Sequence, residues 1–353
     1  MNKKLFALLT SWLLVISLLV GCVVLPDISN PDLFDPTTGS SPTQVTNPST
    51  VPTTAPTTPA DPSVPSTNPT TPPDSSVPEG STFAVHFIDV GQADAILVLC
   101  DGKTMLIDGG NKADSNLMYT YLKKHNITHL DYVIGTHAHE DHIGGIPGAL
   151  QVATVDKVYC ASTSYSTQAF KNFVNAVNNR GAKIEVPTIG LTFKLGSAVC
   201  TILAVNTDGK DLNNTSIVMR VVYGENSFLF TGDAEDIVEK KLLNSGVELK
   251  SDVLKVGHHG SNSSTTYQFL REVMPEYAVI CVGTGNDYGH PTENTLSRLR
   301  DAEVKTFRTD KQGDIICVSD GKNITFTVSR NADMDMYKKI GPNSIQRAIS
   351  KVQ

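Results

Sequence analysis

The sequence predicts an α/β fold in which two mixed β-sheets pack together and carry helices on their outer faces. From Thr82 onward, short runs of β-branched residues alternate with stretches of helical periodicity, and neighbouring strands are joined either as hairpins or through a helix. Prolines and histidines delimit this region, since 14 of the 19 prolines precede Gly80 and all nine histidines lie between His86 and His290. We therefore expect the ionisable chemistry in one folded region.

Hairpin and helix-end signals define the first half of this region. Asp101-Gly102 between two apolar runs is typical of a tight turn, and Gly181 after a helical pattern is typical of a helix end. The predicted strands are Phe83–Ile88, Ala95–Cys100, Lys103–Ile107 and Asp131–Gly135, and the predicted helices are Asn116–His125 and Phe170–Asn179.

The second half repeats the alternation, and no linker composition interrupts it. Its predicted helices are Ala234–Asn244 and Thr292–Asp301, and its predicted strands are Ala198–Ala204, Ser216–Tyr223, Ser227–Thr231, Asp252–Val256 and Tyr277–Val282, with three more near Val304, Ile315 and Ile324. We therefore predict one domain over residues 81–330, followed by a tail at residues 331–353 that is poorly ordered or helical.

The segment before the domain has the features of an export signal. Two lysines precede the apolar run Leu5–Val20, which is short for a membrane span and suits a signal-peptide core. The string LVGC ending at Cys22 resembles the lipobox of bacterial lipoproteins. We predict a signal peptide at residues 1–22, lipidation of Cys22 and a lipid-anchored location on the extracellular face of the membrane. An uncleaved membrane anchor is the alternative.

Residues 23–80 differ in composition from everything that follows. They are rich in proline, threonine and serine and contain neither lysine nor arginine. Such a segment cannot bury enough apolar surface to offset the entropy of ordering it. We predict a disordered tether between the membrane and the domain.

Overall composition excludes several classes of protein. With 40% hydrophobic and 18% charged residues, the chain is neither a multi-span membrane protein nor fully disordered. A formal charge of −7 excludes a protein that holds polyanions by net charge alone. The cysteines after residue 22 lie in apolar, strand-like runs without CxxC spacing, so we expect buried free thiols.

The most informative string is THAHEDH at residues 136–142, directly after a predicted strand. Three imidazoles and two carboxylates within six residues are costly to bury unless cations neutralise them. Neutral imidazole and carboxylate suit zinc and manganese- or iron-like ions. On an extended loop, His137 and His139 point the same way, and the following turn brings Asp141 and His142 toward a second position. The pattern predicts a site for two divalent ions.

The string HAHEDHIGG at residues 137–145 resembles the HxHxDH motif of the metallo-β-lactamase superfamily. The likeness extends over residues 83–328, where HFIDVGQADAILV, MLIDGG, NNTSIVMRV, FLFTGDAE, LKVGHHGS and NDYGHP follow in order. Together these motifs are similar to the extracellular hydrolase domain of ComEC-type DNA-uptake proteins and their free-standing lipoprotein relatives. The resemblance implies a four-layer αβ/βα sandwich with one or two metals at its loop edge.

The resemblance also implies the principal ligands of two ions, zinc or manganese. His137 and His139 would bind the first ion, and Asp141 and His142 the second. Asp233, at the end of a predicted strand, would bridge both ions and orient a hydroxide between them.

Other residues take supporting roles by the same resemblance. His258 is our preferred last ligand of the second ion, with His259 as its substitute or as a substrate contact. Asp108 would accept a hydrogen bond from a ligand imidazole and fix its tautomer. Asp89 and Asp94 are assigned to shaping the site, and a hydrogen-bonded loop brace is the alternative for them.

One departure from the family pattern concerns the first ion. Many superfamily members supply a third histidine before a late strand, where this chain has Asn213 and Asn214. ComEC-like relatives resemble this chain at that point. The departure implies an asparagine carbonyl or a water in that position and a shift of metal preference from zinc toward manganese.

For the reaction, His259 or His290 is the candidate that protonates the leaving oxygen. Ser261 and Ser263 are candidate phosphate contacts. A structural turn is the alternative for His290, and a flexible Gly-Ser loop is the alternative for the two serines.

The leading hypothesis is a surface-tethered, metal-dependent phosphodiesterase or nuclease whose substrate is DNA. Three alternatives stay open: a phosphodiesterase of wall polymers or phosphorylcholine esters, a hydrolase of lactones, thioesters or lactams, and a non-catalytic surface module that holds metal. We expect a monomer and infer no obligate protein partner.

Overall fold

The computed structural model describes Gly80, residues 82–207 and residues 211–337. Within them, two mixed sheets have the strand orders β15-β14-β1-β2-β3-β4-β5-β6 and β13-β12-β11-β10-β9-β8-β7. The first sheet consists of β1 (Phe83–Phe87), β2 (Ile96–Cys100), β3 (Lys103–Ile107), β4 (His129–Gly135), β5 (Thr154–Cys160), β6 (Ile184–Glu185), β14 (Ile315–Ser319) and β15 (Ile324–Val328). The second consists of β7 (Thr192–Leu195), β8 (Ala198–Ala204), β9 (Val218–Tyr223), β10 (Asn226–Phe230), β11 (Val253–Lys255), β12 (Tyr277–Ile280) and β13 (Lys305–Arg308).

Strand direction follows the connections. β1 to β3 are joined as antiparallel hairpins, whereas β3 to β6 and β10 to β13 run parallel because helices connect them. The late strand β14 returns to the first sheet and pairs antiparallel with β1. The carboxyl ends of β4, β10, β11 and β12 therefore supply loops to a single region of the molecule.

Helices cover the outer faces of both sheets. They are α1 (Ser115–Lys124), α2 (Glu140–Ile143), α3 (Ile146–Val152), α4 (Gln168–Asn179), α5 (Asp236–Ser245), α6 (Tyr267–Val273), α7 (Glu293–Asp301) and α8 (Thr309–Gln312). In α4, the Thr167 side chain caps the first turn, and Phe170, Phe173 and Val177 bury one helical face. One apolar cluster fills the space between the sheets, and two others lie beneath the helices. The predicted four-layer αβ/βα sandwich is confirmed.

Most predicted elements are present. Lys103–Ile107 and Ala198–Ala204 have the predicted bounds, and the bounds of the others differ by one or two residues. The sequence analysis missed Glu140–Ile143, Ile146–Val152, Thr154–Cys160, Ile184–Glu185, Thr192–Leu195, Tyr267–Val273 and Thr309–Gln312.

The first residues of the predicted tail pack against the domain. Residues 331–337 form turns rather than a helix, and the Met336 carbonyl accepts a hydrogen bond of 2.7 Å from Arg308 Nη1. Because Met336 is also buried, this part of the predicted tail packs against the domain, and the predicted domain bounds stay a prediction. The rest of the tail, the tether and Cys22 lie outside the described residues.

The cysteines of the described region are free and buried, as predicted; they are Cys100, Cys160, Cys200, Cys281 and Cys317. Burial raises the pKa of the Cys100 thiol to about 11 and that of Cys160 to about 12, so these thiols stay protonated. Among the described residues, no helix has the length and apolar character needed to span a membrane.

Candidate metal centre

The histidine-rich loop follows β4 and leads directly into α2. His139 has extended backbone angles (φ −72°, ψ 149°) at the start of that helix, so the next residues turn back over the end of the sheet. Glycine makes this close packing possible, because a Cβ on Gly145 would overlap the carbonyl oxygen of Gly109. The local sequence thus places His137 and His139 on the loop and Asp141 and His142 on the helical turn.

Asp108 fixes the orientation of His142 from behind. Its carboxylate accepts hydrogen bonds of 2.8 Å from the Thr136 backbone N–H, from Thr136 Oγ1 and from His142 Nδ1. With Nδ1 engaged in this way, Nε2 of His142 is the nitrogen that faces the site. Asp108 lies where the sequence analysis places it.

Three buried or half-buried donors converge beside His142. His142 Nε2 lies 3.2 Å from Asp233 Oδ2, and His259 Nε2 lies 3.3 Å from Asp141 Oδ2 and 3.5 Å from Asp233 Oδ2. One ligand atom from each of the four residues lies within 4.8 Å of the others. Two imidazole nitrogens and two carboxylate oxygens form a donor set that suits a divalent transition metal. We call Asp141, His142, Asp233 and His259 the metal quartet.

The quartet passes a direct test of fit to a cation. Within the described part of the chain, His142 Nε2, His259 Nε2 and Asp233 Oδ1 are buried without a hydrogen-bond partner. Buried polar atoms without partners are costly, and a bound ion would satisfy all three. Burial opposes charge on these groups, yet Asp233 holds the pKa of both imidazoles well above their usual value. The site therefore stabilises positive charge.

A second pair of donors adjoins the quartet. His137 Nε2 lies 2.9 Å from His139 Nδ1, and the His137 ring lies 4.1 Å from the His142 ring between centroids. Ser216 Oγ lies 3.3 Å from His137 Nδ1 and accepts a hydrogen bond from the Asp233 backbone N–H. His137 and His139 can therefore hold an ion next to the one that fits the quartet.

The donors open into a cavity of about 310 Å³. It is lined by Gln92, His139, Glu140, Asp141, Asn213, Asp233, His258, His259, Tyr288 and His290. Imidazole, carboxylate and amide groups thus face the same space as the metal quartet.

Comparison with known proteins assigns the fold to a family. A family model described as the metallo-beta-lactamase superfamily matches residues 88–284. The chain belongs to the metallo-beta-lactamase superfamily. It is a superfamily hydrolase, of a family that binds divalent metals and often two of them.

Two curated relatives are ComEC-type competence proteins, as the motifs predict. ComE operon protein 3 of Bacillus subtilis (strain 168) is 30% identical over 250 residues, covering 65% of this chain and 32% of that protein. Competence protein ComA of Neisseria gonorrhoeae is 31% identical over 245 residues, covering 65% of this chain and 31% of that protein. The chain therefore matches about a third of the length of these relatives.

A solved structure is also similar. The metallo hydrolase Igni18 from the archaeon Ignicoccus hospitalis KIN4/I is 18% identical with a TM-score of 0.47, over 66% of this chain and 98% of that protein.

The geometry of the quartet favours the other of two neighbouring histidines over the ligand that we prefer from the sequence. His259 is buried within the quartet, whereas His258 Nε2 lies 3.8 Å from Asp233 Oδ2 and its Nδ1 lies 3.3 Å from Glu235 Oε1. Both residues have positive φ, 47° and 52°, so the backbone turns sharply between them and separates their rings. The geometry favours His259 as the ligand and leaves His258 facing the cavity.

Three residues predicted near the metals or substrate are engaged elsewhere. Asn214 Nδ2 donates to Glu235 Oε2 over 2.8 Å, and Ser263 Oγ donates to Glu235 Oε1 over 2.7 Å. Ser261 Oγ lies 2.9 Å from Ser263 Oγ, and neither serine lines the cavity. In the structure these three residues support Glu235, which in turn faces His258. Their roles toward metal or substrate stay predictions. Asn213 lines the cavity, and its place near the first ion stays a prediction.

The two carboxylates of the DVGQAD turn have different surroundings. Asp89 Oδ2 accepts a hydrogen bond of 2.8 Å from Arg330 and so braces the turn at the domain surface. Asp94 is buried, with Oδ1 3.3 Å from His259 Nδ1 and Oδ2 2.6 Å from Lys255 Nζ. Asp94 thus contacts a quartet imidazole from behind.

Lys255 is the site-supporting residue that sequence reasoning missed. It is 1% exposed, and its ammonium also donates to the Val256 carbonyl oxygen over 2.9 Å. Burial would lower the pKa of this lysine, but Asp94 outweighs burial and raises it above the ordinary value. The available signal was a lysine inside the apolar strand sequence VLKV, three residues before the HHG turn.

Proposed function

We propose that the chain is a metal-dependent phosphodiesterase that cleaves DNA at the outer face of the cell membrane, held there by lipid on Cys22. The observation that carries the proposal is the metal quartet with the adjoining His137–His139 pair, because Asp233 Oδ2 contacts the quartet imidazoles while its second oxygen is buried without a hydrogen-bond partner among the described residues. The quartet would hold one ion and the histidine pair the other.

When bound, two divalent ions lower the pKa of a water and offset the charge that develops on a phosphoryl group. The chain supplies the remaining functions. Asp108 orients His142 from behind, and the Cys281 carbonyl oxygen accepts a hydrogen bond of 2.9 Å from His259 Nδ1. Asp233 Oδ2 contacts both quartet imidazoles. His258 and His290 line the cavity with their rings 5.4 Å apart, so either imidazole can donate a proton to a leaving oxygen.

The resemblance to competence proteins favours DNA among phosphodiesters. The charge of the protein is compatible with a DNA substrate only when metal is bound, because the chain carries a formal charge of −7 and three carboxylates line the cavity. Two divalent ions add four positive charges where the phosphate must bind.

A hydrolysis panel on the full chain, loaded with manganese or zinc, tests the proposal. We expect turnover of DNA and of bis-p-nitrophenyl phosphate, and complete loss of turnover in excess chelator. Faster turnover of p-nitrophenyl phosphorylcholine would indicate the wall-polymer alternative, and turnover of nitrocefin would indicate a lactamase. A chain that binds two ions but hydrolyses none of these substrates would favour the non-catalytic module.

We further propose that manganese supports activity at least as well as zinc. The position of the third histidine is taken by an asparagine, and Asn213 Oδ1 is buried beside the cavity without a hydrogen-bond partner in the described region. Oxygen ligands shift preference away from zinc. Strict dependence on zinc in the same panel would contradict this preference.

A further inference from the structure

The rim of the cavity carries an exposed aromatic ring. Tyr288 lies in the loop between β12 and α7 and is 73% exposed, the highest value among the large apolar and aromatic side chains of the described residues. It lines the same cavity as His139 and Asp233. A large exposed ring beside a catalytic cavity has no packing role in the core, so a ligand is the natural partner for its face.

The loop that carries this ring is held in place. Asn286 Nδ2 donates to the carbonyl oxygens of Gly283 and His290 over 2.9 and 2.7 Å, and Asn286 Oδ1 accepts from the His290 backbone N–H over 3.0 Å. Gln92 Oε1 accepts a hydrogen bond of 3.1 Å from the Gly283 backbone N–H. One face of Tyr288 is stacked on the His290 ring, with centroids 5.8 Å apart and planes inclined by 26°. The backbone that carries the ring is thus held in place and one face of the ring rests on His290, which lowers the entropic cost of binding against the other face.

The negative charge of the cavity lining favours an uncharged contact, such as stacking on an aromatic ring, for the rest of the substrate. The cavity lining contains Glu140, Asp141 and Asp233, and among the described residues it contains neither lysine nor arginine. Apart from the metals and the quartet imidazole His259, the described part of the lining therefore has no cationic side chain that attracts a phosphate backbone. A polynucleotide must gain its remaining affinity from an uncharged part, and a nucleobase offers a flat apolar face.

We propose that Tyr288 is a stacking platform for an unpaired nucleobase adjacent to the scissile phosphodiester. This rests on the proposed function and narrows the substrate to nucleotide-containing phosphodiesters, whose bases offer the ring an extended flat face. A choline ammonium could also lie over the ring, so turnover of p-nitrophenyl phosphorylcholine that is lost in Tyr288→Leu would overturn the nucleobase as its partner. Every base has a π-face, so the contact adds affinity without sequence preference.

The test compares base-containing and abasic oligonucleotides. With the manganese-loaded full chain and single-stranded oligothymidylate, Tyr288→Leu is expected to raise KM about 5- to 100-fold with little change in kcat, while Tyr288→Phe keeps the wild-type KM. On the same strand with abasic sites, wild type and Tyr288→Leu are expected to have equal KM. Tyr267→Leu is the matched control, since Tyr267 is 54% exposed on α6 and does not line the cavity.

A binding measurement separates this inference from the proposed function. Affinity for a phosphorothioate oligothymidylate and for its abasic counterpart is measured by fluorescence anisotropy, which needs no cleavage. Tighter binding of the base-containing strand, lost in Tyr288→Leu, supports the platform even if no DNA is hydrolysed and the proposed function fails. Equal binding of the two strands, or an equal KM penalty on both, overturns the platform even if DNA is hydrolysed.

Discussion

Replacing Lys255 by methionine tests whether the charge behind the metal quartet holds the domain together. The ammonium and the Asp94 carboxylate are both buried, at 1% exposure each, and their nearest atoms lie 2.6 Å apart. Methionine matches the length of the lysine stem but removes its charge, which leaves the carboxylate buried without that partner. Breaking a buried ion pair in this way costs about 3–5 kcal/mol. For a domain of this size that corresponds to a fall in melting temperature of about 6–20 °C.

Urea unfolding in the presence of chelator measures this cost, because bound ions would otherwise add their own stabilisation. Lys240→Met is the matched control: its ion pair with Asp236 spans i to i+4 on a helix and both partners are exposed, so it contributes at most about 0.5 kcal/mol. The double variant Lys255→Met/Asp94→Asn is expected to be more stable than Lys255→Met alone, since no charge is then left unpaired. A Lys255→Met chain as stable as the Lys240→Met control would refute the reasoning.

Three further predictions concern catalysis, acid stability and anchoring. Asp233→Asn is expected to lower turnover at least ~100-fold and to lose bound metal. The control Glu248→Gln, at an exposed position, is expected to keep its turnover and its metal. An Asp233→Asn chain with two bound metals and near wild-type turnover would contradict the bridging role. Burial and the neighbouring His125 lower the pKa of His86 to about 4. Its neutral form therefore stabilises the fold above about pH 6.5, and this stabilisation is lost as the pH falls toward 4. Between pH 7.5 and 5, the free energy of unfolding in urea should fall about 2 kcal/mol more for wild type than for His86→Gln, and equal falls would refute this. Cys22→Ala is expected to release unlipidated protein or to leave the signal peptide uncleaved, and unchanged detergent-phase partitioning with unchanged mass would exclude lipidation.

Local patterns were sufficient for most of the fold. The hairpin strands were predictable because their apolar runs are bounded by turn residues, and the helix ends because glycine follows them. The helix Ile146–Val152 was missed because Pro147 and Gly148 indicate a turn in isolation. Gly148 is present for a tertiary reason: a Cβ there would overlap the carbonyl oxygen of Ser115 at the start of α1. Such close approach between helices leaves no local signal in the sequence.

The metal-binding loop of the candidate site was also predictable, because its signal is local in the sequence. Three imidazoles and two carboxylates in one string indicate a metal site in any surroundings. The choice between His258 and His259 depends on backbone angles, and the pairing of Lys255 with Asp94 depends on packing between distant strands. Single-residue patterns carry neither kind of information.

The pairing of β14 with β1 has a consequence for how the domain acquires its structure. Phe83 of β1 lies opposite Ser319 of β14. One side of β1 pairs with β2, but its other side has no partner strand until almost the whole domain has been synthesised. Joining two positions so far apart costs about 5 kcal/mol in loop-closure entropy, which must be met before the contact contributes anything. Until then the edge of β1 can pair with other chains. We expect slow folding that depends on the last strands, and an emerging polypeptide that is prone to aggregate through this edge.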